Sequence, residues 1–423
     1  MRHKKLITVV SIIVGSAFIL FVVGGVLVFK SFIRPLFAMR EVPPELREPR
    51  VVTGAGLLVK SEFYQAGKES GFDWVQDMAF GQWDGQGDPD VGLAGQFGVT
   101  LVDRQGHVTK RINYRFEKGK IGLGPLTTER VKSTFDNLRL LDVEGDGVFE
   151  VLANGGLDGM ALFDHQGNVL FSRGEFEKGK SSIRTVVAGD VDGDGVKEFI
   201  VSWGFEPWSG LELLDRYGNS RWRRQEEYSP GEMEVVDVNG DGKVELVEDG
   251  GSELKIRDTK GQVQNEVKAP VYLSHVSLCK RPDNQGAPQN LAVKEGALWL
   301  IDLDGKNNTR YDAPLSYIKL EKPRVVEVPG GDPITFDTEE VYRAKCVWTE
   351  LEKDRPKYLA VIAKFATIDR SLFYLYDAQG KLIFEEILPE ECNAVVVLPP
   401  ENGSGREEIL VSGKTTVWRY AMR

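Results

Sequence analysis

The chain has 423 residues, with 64 acidic and 53 Lys and Arg side chains and a formal net charge of −11. That length can bury a substantial core, and two domains would be the prior unless the fold is built from repeats. A nucleic-acid binder would show a basic face; no basic cluster stands in this sequence, so nucleic acid is not an expected partner.

Residues 1–5 form a short flank carrying Arg2, Lys4 and Lys5. Leu6 to Phe29 is an uncharged, apolar run of 24 residues. At about 1.5 Å per residue a helix of that length spans roughly 36 Å, enough to cross a membrane with some tilt. A cleaved signal peptide is the competing reading, since the flank is basic. A signal core usually has only about 7–15 apolar residues, and no small-residue cleavage pattern closes this run. A retained transmembrane signal anchor over 6–29 is therefore expected. Lys30, Arg34 and Arg40 follow the run, so the flanking charge is nearly even. The very short flank puts the N-terminus in the cytoplasm and the large domain outside, at the cell surface or in the periplasm. Residues 30–50, with Pro35, Pro43, Pro44 and Pro49, read as a stiff linker.

From residue 51 to 423 one unit recurs: an acidic or polar loop, two apolar strands, then Asp-x-x-Gly and more strand. The marker aspartates are Asp103, Asp164, Asp215, Asp258, Asp302 and Asp377. A seventh unit, Glu408–Gly413 and Thr415–Tyr420, ends without its last strand. Abundant glycine (46 residues) suits the tight turns between such strands. Seven units of about four strands predict an all-β fold, a seven-bladed β-propeller, preceded by one transmembrane helix. The spare segment Val51–Lys68 is placed to donate the missing strand and remove an exposed sheet edge. The wide gap before Asp377 marks an insertion near 322–343, which is either functional or disordered.

Three consecutive units carry nearly the same acidic loop: Asp142-Val-Glu-Gly-Asp-Gly-Val-Phe-Glu150, Asp190-Val-Asp-Gly-Asp-Gly-Val-Lys-Glu198 and Asp237-Val-Asn-Gly-Asp-Gly-Lys-Val-Glu245. They recur after 48 and 47 residues, a repeat-sized period. Oxygen ligands at positions 1, 3 and 5, a carboxylate at 9 and a turning glycine at 6 are what Ca²⁺ selects. The bland reading is a set of Asx turns, but three full matches in phase favour the metal.

The loop Asp190–Glu198 and the strand Phe199-Ile-Val-Ser after it resemble the FG-GAP or VCBS-type repeat of the integrin alpha-subunit propeller and of many bacterial surface proteins. The resemblance is good over 142–258 and looser over 80–420. It implies Asp142, Glu144, Asp146 and Glu150 as ligands of a first calcium site. It implies Asp190, Asp192, Asp194 and Glu198 for a second, and Asp237, Asn239, Asp241 and Glu245 for a third, with a position-7 carbonyl in each. Two departures stand out: Glu144 is longer than the usual Asp or Asn, and the closing residue is Glu where Asp is commoner. The first unit, Gln82–Asp90, has lost positions 1 and 5. The phrase Asp302-Leu-Asp-Gly305 falls in the turn register and reads as a turn.

No catalytic constellation is visible. His107 and His165 lie in or beside Asp-x-x-Gly turns, and His275 sits in an alternating stretch as a face or core residue. Cys279, Cys346 and Cys392 show no metal-type spacing and read as buried apolar residues; one bridge stays open if the domain is extracytoplasmic. Trp203, Phe205 and Trp208 follow the second loop; they either pack between blades or stack on a ligand. Asn307 and Asn402 begin glycosylation sequons, relevant only in a host that glycosylates. Two function classes remain. The first is a membrane-anchored propeller that binds calcium and serves as a protein- or glycan-binding module, not an enzyme. The second is a calcium-dependent polysaccharide lyase-like enzyme or a quinoprotein-like propeller, the latter favoured slightly by Leu375–Phe384. A pocketed funnel with perturbed titrating groups would mark the enzyme, and fold alone decides neither.

Overall fold

The computed structural model describes residues 42–67, 74–83, 89–96, 98–114, 116, 119–121, 128–130, 134–155, 159–173, 182–204, 209–227, 229–249, 253–268, 277–279, 289–303, 308–326, 334–352, 357–365, 368–400 and 406–423. Their strands form seven antiparallel meanders, the blades of a β-propeller. Blades one to five occupy residues 77–113, 137–173, 182–225, 233–268 and 277–312, each in simple sequence order. A short separate hairpin, Gly119–Ile121 with Thr128–Arg130, lies in the connection between blades one and two.

Burial explains why the middle strands read as continuous apolar runs. Glu150–Gly155, Glu198–Gly204 and Ser371–Tyr376 are buried at every position, because both faces meet a neighbouring blade. The outermost strands, such as Val169–Arg173 and Ser220–Gln225, are half open to solvent and correspondingly polar. The core is therefore distributed over the blade interfaces. Separate apolar clusters fill each junction around the ring: blades one and two, two and three, three and four, four and five, five and six, six and seven, and seven and one.

The N-terminal segment serves two blades. Arg50–Thr53 pairs with Leu382–Leu388 as an extra outer strand of blade six. Leu58–Gln65 then pairs with Thr416–Met422 and becomes the fourth strand of blade seven, after Cys392–Leu398 and Glu408–Gly413. Residues 42–50, the end of the stretch read as linker, pack onto the propeller. Leu46 is 0% exposed within the junction of blades five and six. Leu6–Phe29 lies outside the described residues, and among those no helix is long and apolar enough to cross a membrane.

Of the insertion near 322–343, the described residues belong to two paired strands, and 327–333 lie outside them. Tyr317–Val326 pairs with the first part of Ile334–Thr349, whose second part, from Val341, is the innermost strand of blade six.

The cysteine expectation needs correction. Cys279 and Cys346 form a disulfide with a Cα–Cα distance of 5.4 Å, a separation suited to a bridge. Their separation of 67 residues gave no local signal. They meet because the innermost strands of blades five and six are neighbours. Closing a loop of that length stabilises the fold by about 4 kcal/mol in the chain-entropy model. Cys392 is a buried free thiol, as read from the sequence.

Candidate functional site

In an antiparallel meander the first and third connections lie on one face and the second on the other. The acidic loops join the first and second strands of blades two, three and four, and the Asp-x-x-Gly turns join third and fourth strands. Both therefore share one face, here termed lower. The upper face carries the second-to-third connections, the links between blades and the 317–340 hairpin.

Five Asp-x-x-Gly turns are built alike. The Asp carbonyl accepts from the glycine N–H, and its carboxylate accepts from the backbone N–H four residues on, at Asp103, Asp164, Asp215, Asp258 and Asp377. These bonds hold the carboxylates of Asp103, Asp164 and Asp215 below the usual range, outweighing the opposing effect of burial. His107 Nδ1 lies 3.2 Å from Asp103 Oδ2, and His165 occupies the turn after Asp164, so both are turn residues. His275 and the turn after Asp302 fall outside the described residues, though Asp302 itself accepts from Gln289 Nε2.

The acidic loops share a tighter pattern. Asp142 Oδ1 accepts from Gly145 N–H at 2.6 Å, and its Oδ2 from Gly147 N–H at 2.9 Å. The same two bonds recur at Asp190 (2.7 and 2.9 Å) and Asp237 (2.6 and 2.8 Å). Both glycines of each loop have positive φ, between 76° and 90°, which a side chain would strain. The closing glutamate points back under the loop. Oε2 of Glu150, Glu198 and Glu245 each accepts from the N–H of position two, at 2.9, 3.1 and 2.9 Å.

This arrangement leaves a concentration of carboxylates. In the second loop, oxygens of Asp190, Asp192 and Asp194 all lie within 4.8 Å of one another. Glu198, 1% exposed, stands beneath them. Burial, and then the nearby Asp charges, push its carboxyl above the usual range; Glu150 is raised in the same way. A hard cation would relieve this repulsion, and the donor set is all oxygen, so the residues fit calcium. In the present structure a guanidinium partly does that work. Arg221 lies 2.6 Å from Asp192 Oδ2 and 3.1 Å from Glu198 Oε1. Arg216 reaches Glu144 Oε1 at 3.4 Å more loosely. In the third loop Asn239 Nδ2 takes that place, donating to Glu245 Oε1 at 3.3 Å.

Trp203 is 6% exposed in the junction of blades two and three, and its indole N–H donates to Glu212 Oε2 at 2.9 Å. That satisfies its polar edge inside the fold and places the ring in packing, not on the surface. Phe205 and Trp208 lie outside the described residues.

A cavity of about 380 Å³ occupies the central channel, lined by innermost strands of six blades. Its charges are matched in pairs. Lys345 Nζ lies 3.0 Å from Asp77 Oδ1, Arg139 3.5 Å from Glu234 Oε2, and Arg343 meets Glu232. Sequence reading missed this ring because its members come from blades one, two, four and six and meet only when the ring closes.

The protein is thus a seven-bladed β-propeller with an acidic lower face and a charge-neutral channel. No family model matches the sequence, and no curated protein matches it. Among solved structures, it is similar to BBS1N crystallised in complex with ARL6DN and soaked with mercury. The identity is 9% and the TM-score 0.53, over 88% of this chain and 97% of that one. The same complex soaked with lead gives 9% identity and a TM-score of 0.51, over 86% and 95%. The Pan2 WD40 domain of Neurospora crassa also matches, at 9% identity and a TM-score of 0.48, over 85% and 95%. The likeness to BBS1N, at TM-scores above 0.5 and 9% identity, shows the fold alone.

Proposed function

We propose that this chain is a membrane-anchored, extracytoplasmic propeller of the FG-GAP/VCBS type that binds calcium in its lower-face loops and engages a protein or glycan partner. The observation that carries this reading is the identical hydrogen-bonded scaffold of three consecutive acidic loops, with three carboxylates gathered over a buried glutamate in the second. The Cys279–Cys346 bridge supports an oxidising, extracytoplasmic compartment. Among the described residues the channel charges stand in ion pairs, which favours a binding module over an enzyme. The similar BBS1N propeller was crystallised in a complex, which is in keeping with an interaction role.

Calorimetry of residues 42–423 with chelator and with calcium tests the metal. Calcium at a hundredfold excess over its dissociation constant would stabilise the fold by about 2.7 kcal/mol per site, so the melting temperature should rise. An unchanged melting temperature would overturn the reading. Asp192→Ala combined with Asp194→Ala should remove the second site. Arg221→Gln should tighten calcium binding there, because the ion no longer displaces a guanidinium.

A further inference from the structure

We propose that the central channel binds a small zwitterion, an α-amino acid with an apolar side chain. This goes beyond the proposed function and rests on neither the metal nor the anchor.

The channel cavity, at about 380 Å³, lies near the small end of the range of about 300–1,000 Å³ that ligand sites occupy. Met78, Met233, Leu278 and Val395 give its walls an apolar surface. Asp77, Arg139, Glu232, Glu234 and Lys345 are set among them. Closing the ring does not require these charges. Blade seven lines the same cavity with Ala394, Val395, Val396 and Val397 alone. Apolar replacements of buried ion pairs are often neutral or stabilising. Charges that converge on one cavity from blades one, two, four and six therefore point to a ligand inside it.

Two of the cations keep donors in reserve. A guanidinium carries five N–H donors and an ammonium three. Among the described residues Arg139 has a single partner, Glu234 Oε2 at 3.5 Å, beyond an ordinary hydrogen-bond length. Lys345 Nζ likewise has one, Asp77 Oδ1 at 3.0 Å. The other Asp77 oxygen accepts from the Leu138 N–H at 3.0 Å, so Asp77 holds the ammonium beside the strand that carries Arg139. The two cations thus face one cavity from blades two and six, with donors to spare for a carboxylate.

Electroneutrality sets the rest of the ligand. Asp77, Glu232 and Glu234 balance Arg139, Arg343 and Lys345. A plain anion would upset that balance, at a cost that a low-dielectric site magnifies. A ligand with its own ammonium preserves it. The two oxygens of Glu234 offer about four acceptor positions, room for a further donor beside Arg139. The apolar walls take the side chain. Cys346 lines the cavity and is bridged to Cys279, which stiffens one wall and lowers the ordering cost of binding.

Equilibrium dialysis of the full chain in mild detergent, with tritiated L-leucine and L-phenylalanine, tests the site. One or both should be retained stoichiometrically. Analogues that lack one charge are then used as competitors: 4-methylpentanoate and 3-methylbutylamine for leucine, 3-phenylpropanoate and 2-phenylethylamine for phenylalanine. Each should displace the label at least about tenfold less well than the unlabelled amino acid, because a charge-assisted bond is lost. Arg139→Gln should weaken retention by about tenfold or more. So should Lys345→Met combined with Asp77→Asn, a pair that strands no charge and keeps an acceptor for Leu138 N–H. Thermal melts show that the variants fold, and the competition arm, which needs no variant, decides the matter if they do not. Retention of neither amino acid overturns the proposal. Displacement by a one-charge analogue as strong as by the amino acid, or undiminished retention in a folded variant, overturns it as well.

Discussion

A chain that begins at residue 66 should lose the monomeric, cooperatively melting state that a chain beginning at residue 42 shows. Leu58–Gln65 is the outermost strand of blade seven, paired along its length with Thr416–Met422. Further bonds continue the seam: Ala66 N–H to the Thr415 carbonyl at 2.7 Å, and Arg423 N–H to the Leu57 carbonyl at 3.1 Å. Phe63 and Ala66 also belong to the junction of blades seven and one, with Val91, Val102, Leu410 and Val417. Removal would bare a long edge strand and one side of an apolar junction, which is a template for aggregation. Size-exclusion chromatography with light scattering and a thermal melt read the outcome. A stable monomer with an unchanged melt would show that the ring does not depend on this strand. The milder Phe63→Ala, which keeps the backbone pairing, should cost about 3–5 kcal/mol. Chemical denaturation of that variant separates loss of packing from loss of the strand.

The repeat was legible because its periodic features are local. Asp-x-x-Gly fixes a turn through its own side chain, and the acidic loops fix theirs within nine residues, as the shared hydrogen-bond pattern bears out. The need for a donated strand was also readable, since the seventh unit stops short. What escaped was set by ring closure. Cys279 and Cys346 meet across neighbouring blades, and the channel's Lys345–Asp77 pair joins residues 268 positions apart. The docking of Leu46 depends on Arg370, 324 residues away. Such contacts have no sequence period. One missed signal was present, however. The residue before the marker aspartate is Val102, Phe163, Leu214, Ile301 or Tyr376 in other units, all apolar, but Arg257 in the fourth.

That exception underlies the second large effect: Arg257→Ala should destabilise the propeller by about 3–5 kcal/mol, the usual cost of stranding a buried partner charge. Arg257 is 2% exposed. Its Nε donates to Glu248 Oε1 at 2.9 Å, and NH1 donates to Glu226 Oε1 and to the Gly261 carbonyl, both at 3.0 Å. Glu248 is itself 3% exposed, and burial raises its carboxyl above the ordinary range even with the arginine beside it. Without Arg257 that rise grows. A carboxyl whose folded pKa exceeds its unfolded value contributes stability below the unfolded pKa and loses it as pH climbs through the folded one. The deficit of Arg257→Ala should therefore widen with rising pH above the ordinary glutamate range, and shrink on acidification as Glu248 takes up a proton. Pairing Arg257→Met with Glu248→Leu removes both charges and should restore most of the loss, since apolar replacements of a buried pair are often neutral. Urea denaturation of the single and double variants across pH measures this. A single variant with wild-type stability, or a deficit that grows on acidification, would remove the pair from the forces holding blade four.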